Sequence, residues 1–234
     1  MSIFDTIFYK PLFNILILFY QYIPGHDFGV AIILLTVFIR VLLYPLGATA
    51  IKSQKAFQDI QPKLKEIQKK YKDDKEKQMQ LTLELYKETK INPFSSILPL
   101  LVQLPILYAL YRVFWKGFNM SEMVNVYSFI SKPESINPTF LGLISLDKPS
   151  LVLAILCGVL QFFQVKMLTP EIKKGEEIDR FSAMLQKQSL YFFPVLIVAM
   201  LSRIPSAIGL YWLITTVFSI IQQYITLKSY AKQG

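Results

Sequence analysis

GVAIILLTVFIRVLLYPLGATA, residues 29–50, decides the fold. A bilayer-crossing helix needs about 20 predominantly apolar residues. This stretch has that length and carries one charge, Arg40, near its middle. Pro45 removes a backbone donor near the inner end and is expected to kink the helix there. The segment that follows, residues 51–92, changes character: it holds 11 lysines and 7 acidic residues. Phe57, Ile60, Leu64, Ile67 and Tyr71 recur at spacings of three and four, which is a helical stripe. Pro62 restarts or bends that helix, and Lys72-Asp73-Asp74-Lys75 forms a polar turn. Met79, Leu83, Tyr86 and Lys90 then continue at helical spacing. Two amphipathic helices joined by a short turn predict an antiparallel hairpin. Upstream, residues 12–23 are apolar but too short to span. Pro11 can start a helix there and Pro24-Gly25 can stop it. They predict an interfacial helix within an external segment, 1–28, with an additional span as the alternative.

Four more apolar segments follow. Residues 94–115, interrupted by Pro99 and Pro105, are a second span, and 116–149 an evenly charged external loop. Residues 150–168 are a third span, stopped by Thr169-Pro170. Residues 171–187 are a charged loop, 188–204 a fourth span, 206–227 a fifth and 228–234 a tail. The expected fold is an all-α integral membrane protein: five transmembrane helices, a cytoplasmic helical hairpin and an N-terminal interfacial helix. An odd number of spans puts the termini on opposite sides. The hairpin, the 171–187 loop and the tail carry 17 basic residues. The N-terminal segment, the 116–149 loop and the turn at Arg203 carry 5. The positive-inside bias therefore puts the N-terminus outside and the C-terminus in the cytoplasm.

Composition agrees and excludes other classes. The chain of 234 residues is 53% hydrophobic with positive mean hydropathy, too apolar for an ordinary globular surface. Its net charge of +9 follows the membrane topology, so anionic lipid rather than DNA is the expected contact. Cys157 and His26 are the only residues of their kinds, which leaves no internal disulfide and no Cys-based zinc site. No Walker, Gly-rich phosphate-binding or HExxH motif occurs. No cofactor, metal or covalent catalysis is expected. Asp5 precedes Lys10, and the run Leu12 to Tyr22 ends in Tyr-Ile-Pro-Gly, unlike a cleaved signal. Without an Arg-rich import leader, the bacterial plasma membrane is the expected location.

Arg40 is the sharpest candidate. At about 1.5 Å per residue it lies some 16 Å from either end of 29–50. A charge at that depth costs about 2.5–3.5 kcal/mol on insertion scales, so such residues face a polar interior or water. No Asp or Glu occurs in any of the five segments to neutralise it. Thr36 lies one turn away on the same face. Gln103, Gln161, Gln164, Gln222 and Gln223 are further polar groups in the spans, where glutamines also serve simply to hold helices together. With Arg40 they suggest a wet half-channel. The absence of acidic relays weakens an ion-coupled transporter.

Three blocks resemble the YidC/Oxa1/Alb3 family of membrane protein insertases. The first is IILLTVFIRVLLYPL at 32–46. The second is QPKLKEIQKKYKDDKEK at 61–77 with LYKETKINPFSSILPLLVQLPILYALYRV at 85–113. The third is LYWLITTVFSIIQQYI at 210–225. The resemblance runs in order along nearly the whole chain. It implies a groove closed to the outside and open to cytoplasm and lipid, lined by Arg40 and Thr36. Pro105, Leu107, Tyr211 and Trp212 would be wall or substrate-contact positions, and Gln103 belongs with them. Implied partners are nascent membrane proteins, ribosome–nascent chain complexes, the Sec translocon and membrane lipids. The chain departs from the family pattern at Ser95-Ser96-Ile97-Leu98, at Pro205 to Leu210 and at Thr216. Only Lys228 and Lys232 follow the last span, which puts ribosome docking through a basic tail in doubt. A small-solute transporter and a structural scaffold are the alternative classes. A transporter often carries internal repeats, and none is evident.

Overall fold

The computed structural model describes residues 2–23, 25–89, 98–116, 119–169, 184 and 187–232. The loop expected at 171–187, apart from its last residue and Met184, lies outside these residues, as do Asn92-Pro93 and Ser95-Ser96. The architecture is helical, with one two-stranded hairpin. Two of the described helices are long and apolar enough to cross a membrane. A third is counted if two helices separated by a break form one span.

That break falls in the stretch that opened the sequence reading. Helix α1, Lys10–Tyr22, has proline in its first turn and follows a π-helical turn, Asp5–Tyr9. Helix α2, Phe28–Leu42, is capped by Asp27, whose Oδ1 accepts from the Val30 amide at 3.0 Å. It stops at Leu43, and α3, Tyr44–Lys70, begins at the next residue. In a continuous helix the Pro45 ring would clash with the carbonyl of Val41, four residues back; restarting the helix just before Pro45 places the proline in a first turn. Pro62, by contrast, is accommodated within α3.

The contacts divide the chain into two parts, Met1–Leu43 with Gln103–Ile221, and Tyr44–Val102 with Gln222–Gly234. In the second part, α3 is joined by a short turn to α4, Lys75–Glu88, which Asp74 caps through Lys77 N–H. Ile60, Leu64 and Leu85 are buried together, flanked by Phe57, Ile67 and Tyr86. The expected stripe therefore supplies the contact between the helices. Met79 and Leu83 of the continued pattern are exposed instead.

The first part holds α5, Leu98–Lys116, from Gln103 onward, α6, Leu151–Leu168, and α7, Phe193–Leu201, which follows a π-helical turn at Gln188–Phe192. Helix α8, Ser206–Tyr230, begins here. Helices α6 and α7 meet closely at Gly158, where an added Cβ would lie 2.4 Å from Val198 Cγ2.

The segment between α5 and α6 packs across α1. Asn14 is buried in α1 and donates from Nδ2 to the Asn125 carbonyl at 3.0 Å, while its Oδ1 accepts from the Tyr127 amide at 2.6 Å. Tyr20 accepts from the Asn137 amide at 3.0 Å. Replacing Asn14 with Leu leaves a backbone donor and acceptor without their partner, and is expected to cost about 2 kcal/mol in thermal unfolding. A stability equal to wild type would mean that water replaces both bonds.

Strands β1, Thr139–Phe140, and β2, Ile144–Ser145, pair antiparallel. Their turn places Leu141 and Gly142 at φ 51° and 69°, a left-handed backbone uncommon for leucine. Asp27 stabilises it: the second carboxylate oxygen of this helix cap accepts from the Leu141 amide at 2.6 Å. Phe140 packs over Gly29, and the other end of the hairpin joins α8. Ser206 donates from Oγ to the Ser145 carbonyl at 2.7 Å and from its amide to Lys148 at 2.9 Å. The Ala207 amide donates to Leu146 at 3.0 Å. The residues just after the hairpin thus satisfy two N–H groups that the start of α8 leaves open, and the hairpin's own Leu141 amide is taken by the cap of α2.

Candidate functional site

Tyr211, in the first turns of α8, is the centre of the polar group within the first part. Its side chain is 2% exposed and packs against Phe114 of α5. Its hydroxyl accepts from Gln103 Nε2 at 2.7 Å and interacts with the guanidinium of Arg40. Three separate helices therefore bring Arg40, Gln103 and Tyr211 together. Arg40 is half-buried in the last turn of α2, where the helix dipole favours a cation. Among the described residues no carboxylate forms an ion pair with it. Its neighbour is the phenol of Tyr211.

The other expected site residues are distributed differently. Thr36 is buried on the Arg40 side of α2, but its hydroxyl donates to the Ile32 carbonyl of its own helix at 2.6 Å. Pro105 and Leu107 are half-buried on α5. Trp212 follows Tyr211 but turns toward α6, donating from Nε1 to Gln161 Oε1 at 3.3 Å. Gln161 thus holds two helices together, the alternative role for a glutamine in a span.

Helix α8 carries more polarity than its ends suggested. Tyr211, Thr215, Ser219, Gln222 and Thr226 recur at spacings of three and four along one face. Ser219 and Thr216 back-bond to their own helix at 2.8 and 2.9 Å. Thr215 Oγ1 and Gln223 Oε1 are buried with no partner among the described residues. In the second part, Gln222 Nε2 donates to the Tyr44 carbonyl at 2.7 Å, directly over Gly47, where a Cβ would come within 2.8 Å of that nitrogen. The glutamine and the glycine fasten the start of α3 to the end of α8.

Sequence reasoning missed a second polar cluster, at the C-terminal end of α5. Arg112 pairs with Asp5, and its guanidinium lies 4.7 Å from the centre of the Tyr9 ring. The bond from Arg112, with help from Ser2, holds the Asp5 carboxyl below its ordinary range. Burial pushes the Tyr9 phenol up, and Glu122, which accepts its proton at 2.7 Å, adds to the effect. The available signal was an arginine near the end of an apolar segment and an aspartate near the start of the chain. No local pattern links residues 107 apart.

A family model described as 60Kd inner membrane protein matches residues 18–233. The chain belongs to the YidC/Oxa1/Alb3 family. Proteins named membrane protein insertase YidC are similar over most of its length. That of Fusobacterium nucleatum is 33% identical over 202 residues, covering 86% of this chain and 87% of the relative. That of Oceanobacillus iheyensis is 35% identical over 231 residues, covering 97% and 84%. The relative from Geobacter metallireducens is 33% identical over 225 residues, but the chain spans only 37% of its length. The family and the apolar helices make this an inner-membrane protein. Among the described residues no group of His, Cys, Asp or Glu is arranged to hold a metal.

The polar centre of this family member can be tested at Tyr211. Tyr211→Phe removes the acceptor of Gln103 and the neighbour of Arg40. Both are half-buried, so water can take over their donors, and the expected loss in thermal stability is about 1 kcal/mol. A loss of about 3 kcal/mol, the cost of donors left without water, would show the centre to be dry.

Proposed function

We propose that this chain is a membrane protein insertase that receives the extracytoplasmic tail of a nascent membrane protein in a hydrated groove. The observation that carries the reading is Arg40. It is a cation on an apolar helix, set beside Tyr211 and Gln103 and paired with no carboxylate among the described residues. The orphaned Thr215 oxygen and the polar face of α8 support a wet environment. A positive, hydrated site within the bilayer attracts an acidic tail and shortens its path through hydrocarbon. The substrate's apolar segment then moves into lipid, where burial gains roughly 25 cal/mol per Å². The membrane potential contributes about 2.3 kcal/mol per unit charge per 100 mV. In this reading no bond is made or broken, and the chain acts without covalent catalysis.

In this reading the chain has five spans, with its N-terminus outside and its C-terminus in the cytoplasm. The α3–α4 helix pair is cytoplasmic and meets the incoming chain, and α1 lies at the outer interface. Ribosome–nascent chain complexes and the Sec translocon are its partners in the cell. Purified chain in liposomes, presented with a short single-span substrate, is the test. The substrate is expected to become protected from added protease in proteoliposomes and not in empty vesicles. Equal protection in both would refute the proposal. Solute flux without insertion would favour a transporter.

A further inference from the structure

The polar cluster at the outer end of α5 encloses a cavity of about 190 Å³ bordered by Lys10, Arg112 and Lys116 as well as by Asp5, Tyr9, Glu122 and Asn125. Its hydrogen-bonding capacity is unevenly used. The carboxylates are engaged: Asp5 takes a bond from Arg112 and one from the Ser2 amide at 3.3 Å. Glu122 Oε2 accepts from Tyr9 at 2.7 Å and from Asn125 at 3.0 Å, and Lys116 stands 3.7 Å from Oε1. The donors are only partly occupied. An ammonium has three and a guanidinium five. Lys10 has no carboxylate partner among the described residues; it lies 5.8 Å from the centre of the Tyr127 ring. Arg112 uses one edge on Asp5, and Lys116 reaches Glu122 only at long range. Three cations against two carboxylates leave one positive charge over. An anion with several oxygens would find donors on three side chains and would meet the charge left over.

We propose that this cavity binds a phosphate group. It rests on the topology given above, which puts the cavity at the outer membrane surface. The stacked pair Tyr111 and Trp115, exposed on the same stretch of α5, matches side chains that settle at the headgroup level. A phosphodiester carries the single negative charge that balances the site and presents only acceptor oxygens. Arginine and lysine are the side chains suited to it. The source is either a phospholipid headgroup of the outer leaflet or free phosphate.

The test uses the full-length purified chain in detergent and native mass spectrometry. Phosphatidylglycerol is added in one arm and inorganic phosphate in another. Wild type is expected to hold one bound phosphate-bearing molecule. The double variant Lys10→Gln, Lys116→Gln, with the clamp between Arg112 and Asp5 intact, is expected to bind at least about tenfold more weakly, the loss of roughly one charge-assisted contact. Lys10→Arg, Lys116→Arg keeps both charges and should bind as wild type does, which separates loss of charge from misfolding. Charge-dependent binding in the lipid arm alone assigns a headgroup, and charge-dependent binding in the phosphate arm assigns the free ion. Binding that is the same in both double variants, or absent from both arms, overturns the proposal. Because retention is read without any insertion step, a failed insertase assay leaves this result intact, and the reverse also holds.

Discussion

Replacing Arg40 with alanine is expected to reduce insertion of substrates with acidic tails about tenfold, since a charge-assisted contact is worth about 1.5–3 kcal/mol and 1.4 kcal/mol is a factor of ten. Substrates with neutral tails should lose less, because they gain little from the charge. Arg40→Lys keeps a positive point charge and should retain much of the activity. Arg40→Glu should fall below alanine through repulsion. Folding should be spared. No carboxylate among the described residues depends on Arg40, and removing a partly buried cation without an ionic partner relieves a desolvation cost. The measurement is the yield of protected substrate for matched neutral and acidic tails, in vesicles holding each variant at equal abundance. Equal yields across the variants would reduce Arg40 to a hydrating or packing role, and the insertase proposal would then rest on other evidence.

The largest effect on stability is expected at Gly29. An added Cβ there would lie 2.2 Å from Phe140 Cδ2 and 2.6 Å from Phe140 Cβ. Alanine in place of glycine ordinarily favours a helix by about 1 kcal/mol. Here that gain is outweighed, because the near atoms include the root of the phenylalanine and a rotamer change alone cannot clear them. Gly29→Val is expected to cost about 2–3 kcal/mol, at the upper end of overpacking penalties. Introducing Phe140→Gly first, which removes the Cβ as well as the ring, should largely abolish that cost, and a double-mutant cycle of unfolding in detergent measures the difference. If Gly29→Val were equally costly in both backgrounds, the contact would not be its cause.

Much of this was legible in the sequence because hydropathy and helical period are local properties. The stripe from Phe57 to Ile67 predicted which face of α3 meets α4, and Arg40 stood out because a charge is so costly in an apolar run. The break at Leu43 was legible only as a kink. Residues 29–50 are apolar on both sides of Arg40, and only Pro45 marks a limit, without fixing whether the helix bends or restarts. The hairpin at Thr139–Ser145 was unreadable because two-residue strands have no period to detect. The grouping of Arg40, Gln103 and Tyr211 joins residues from three helices. Their polarity was visible one at a time, but their meeting depends on packing. Thr36 illustrates the converse: its position on the helix was right, and its hydroxyl turned to its own backbone.

The ties made by the hairpin at Thr139–Ser145 also impose an order on biogenesis. Asp27 waits for Leu141, and the hairpin in turn waits for Ser206. As the chain leaves the ribosome, Asp27 at the start of α2 cannot make this bond until 114 further residues have followed it. The clasp closes only when the last long helix arrives. A nascent chain halted before Ser206 should therefore expose this hairpin to protease, and one halted after α8 has emerged should not. A protein proposed to help others into the membrane would itself pass through an unlatched stage for most of its synthesis.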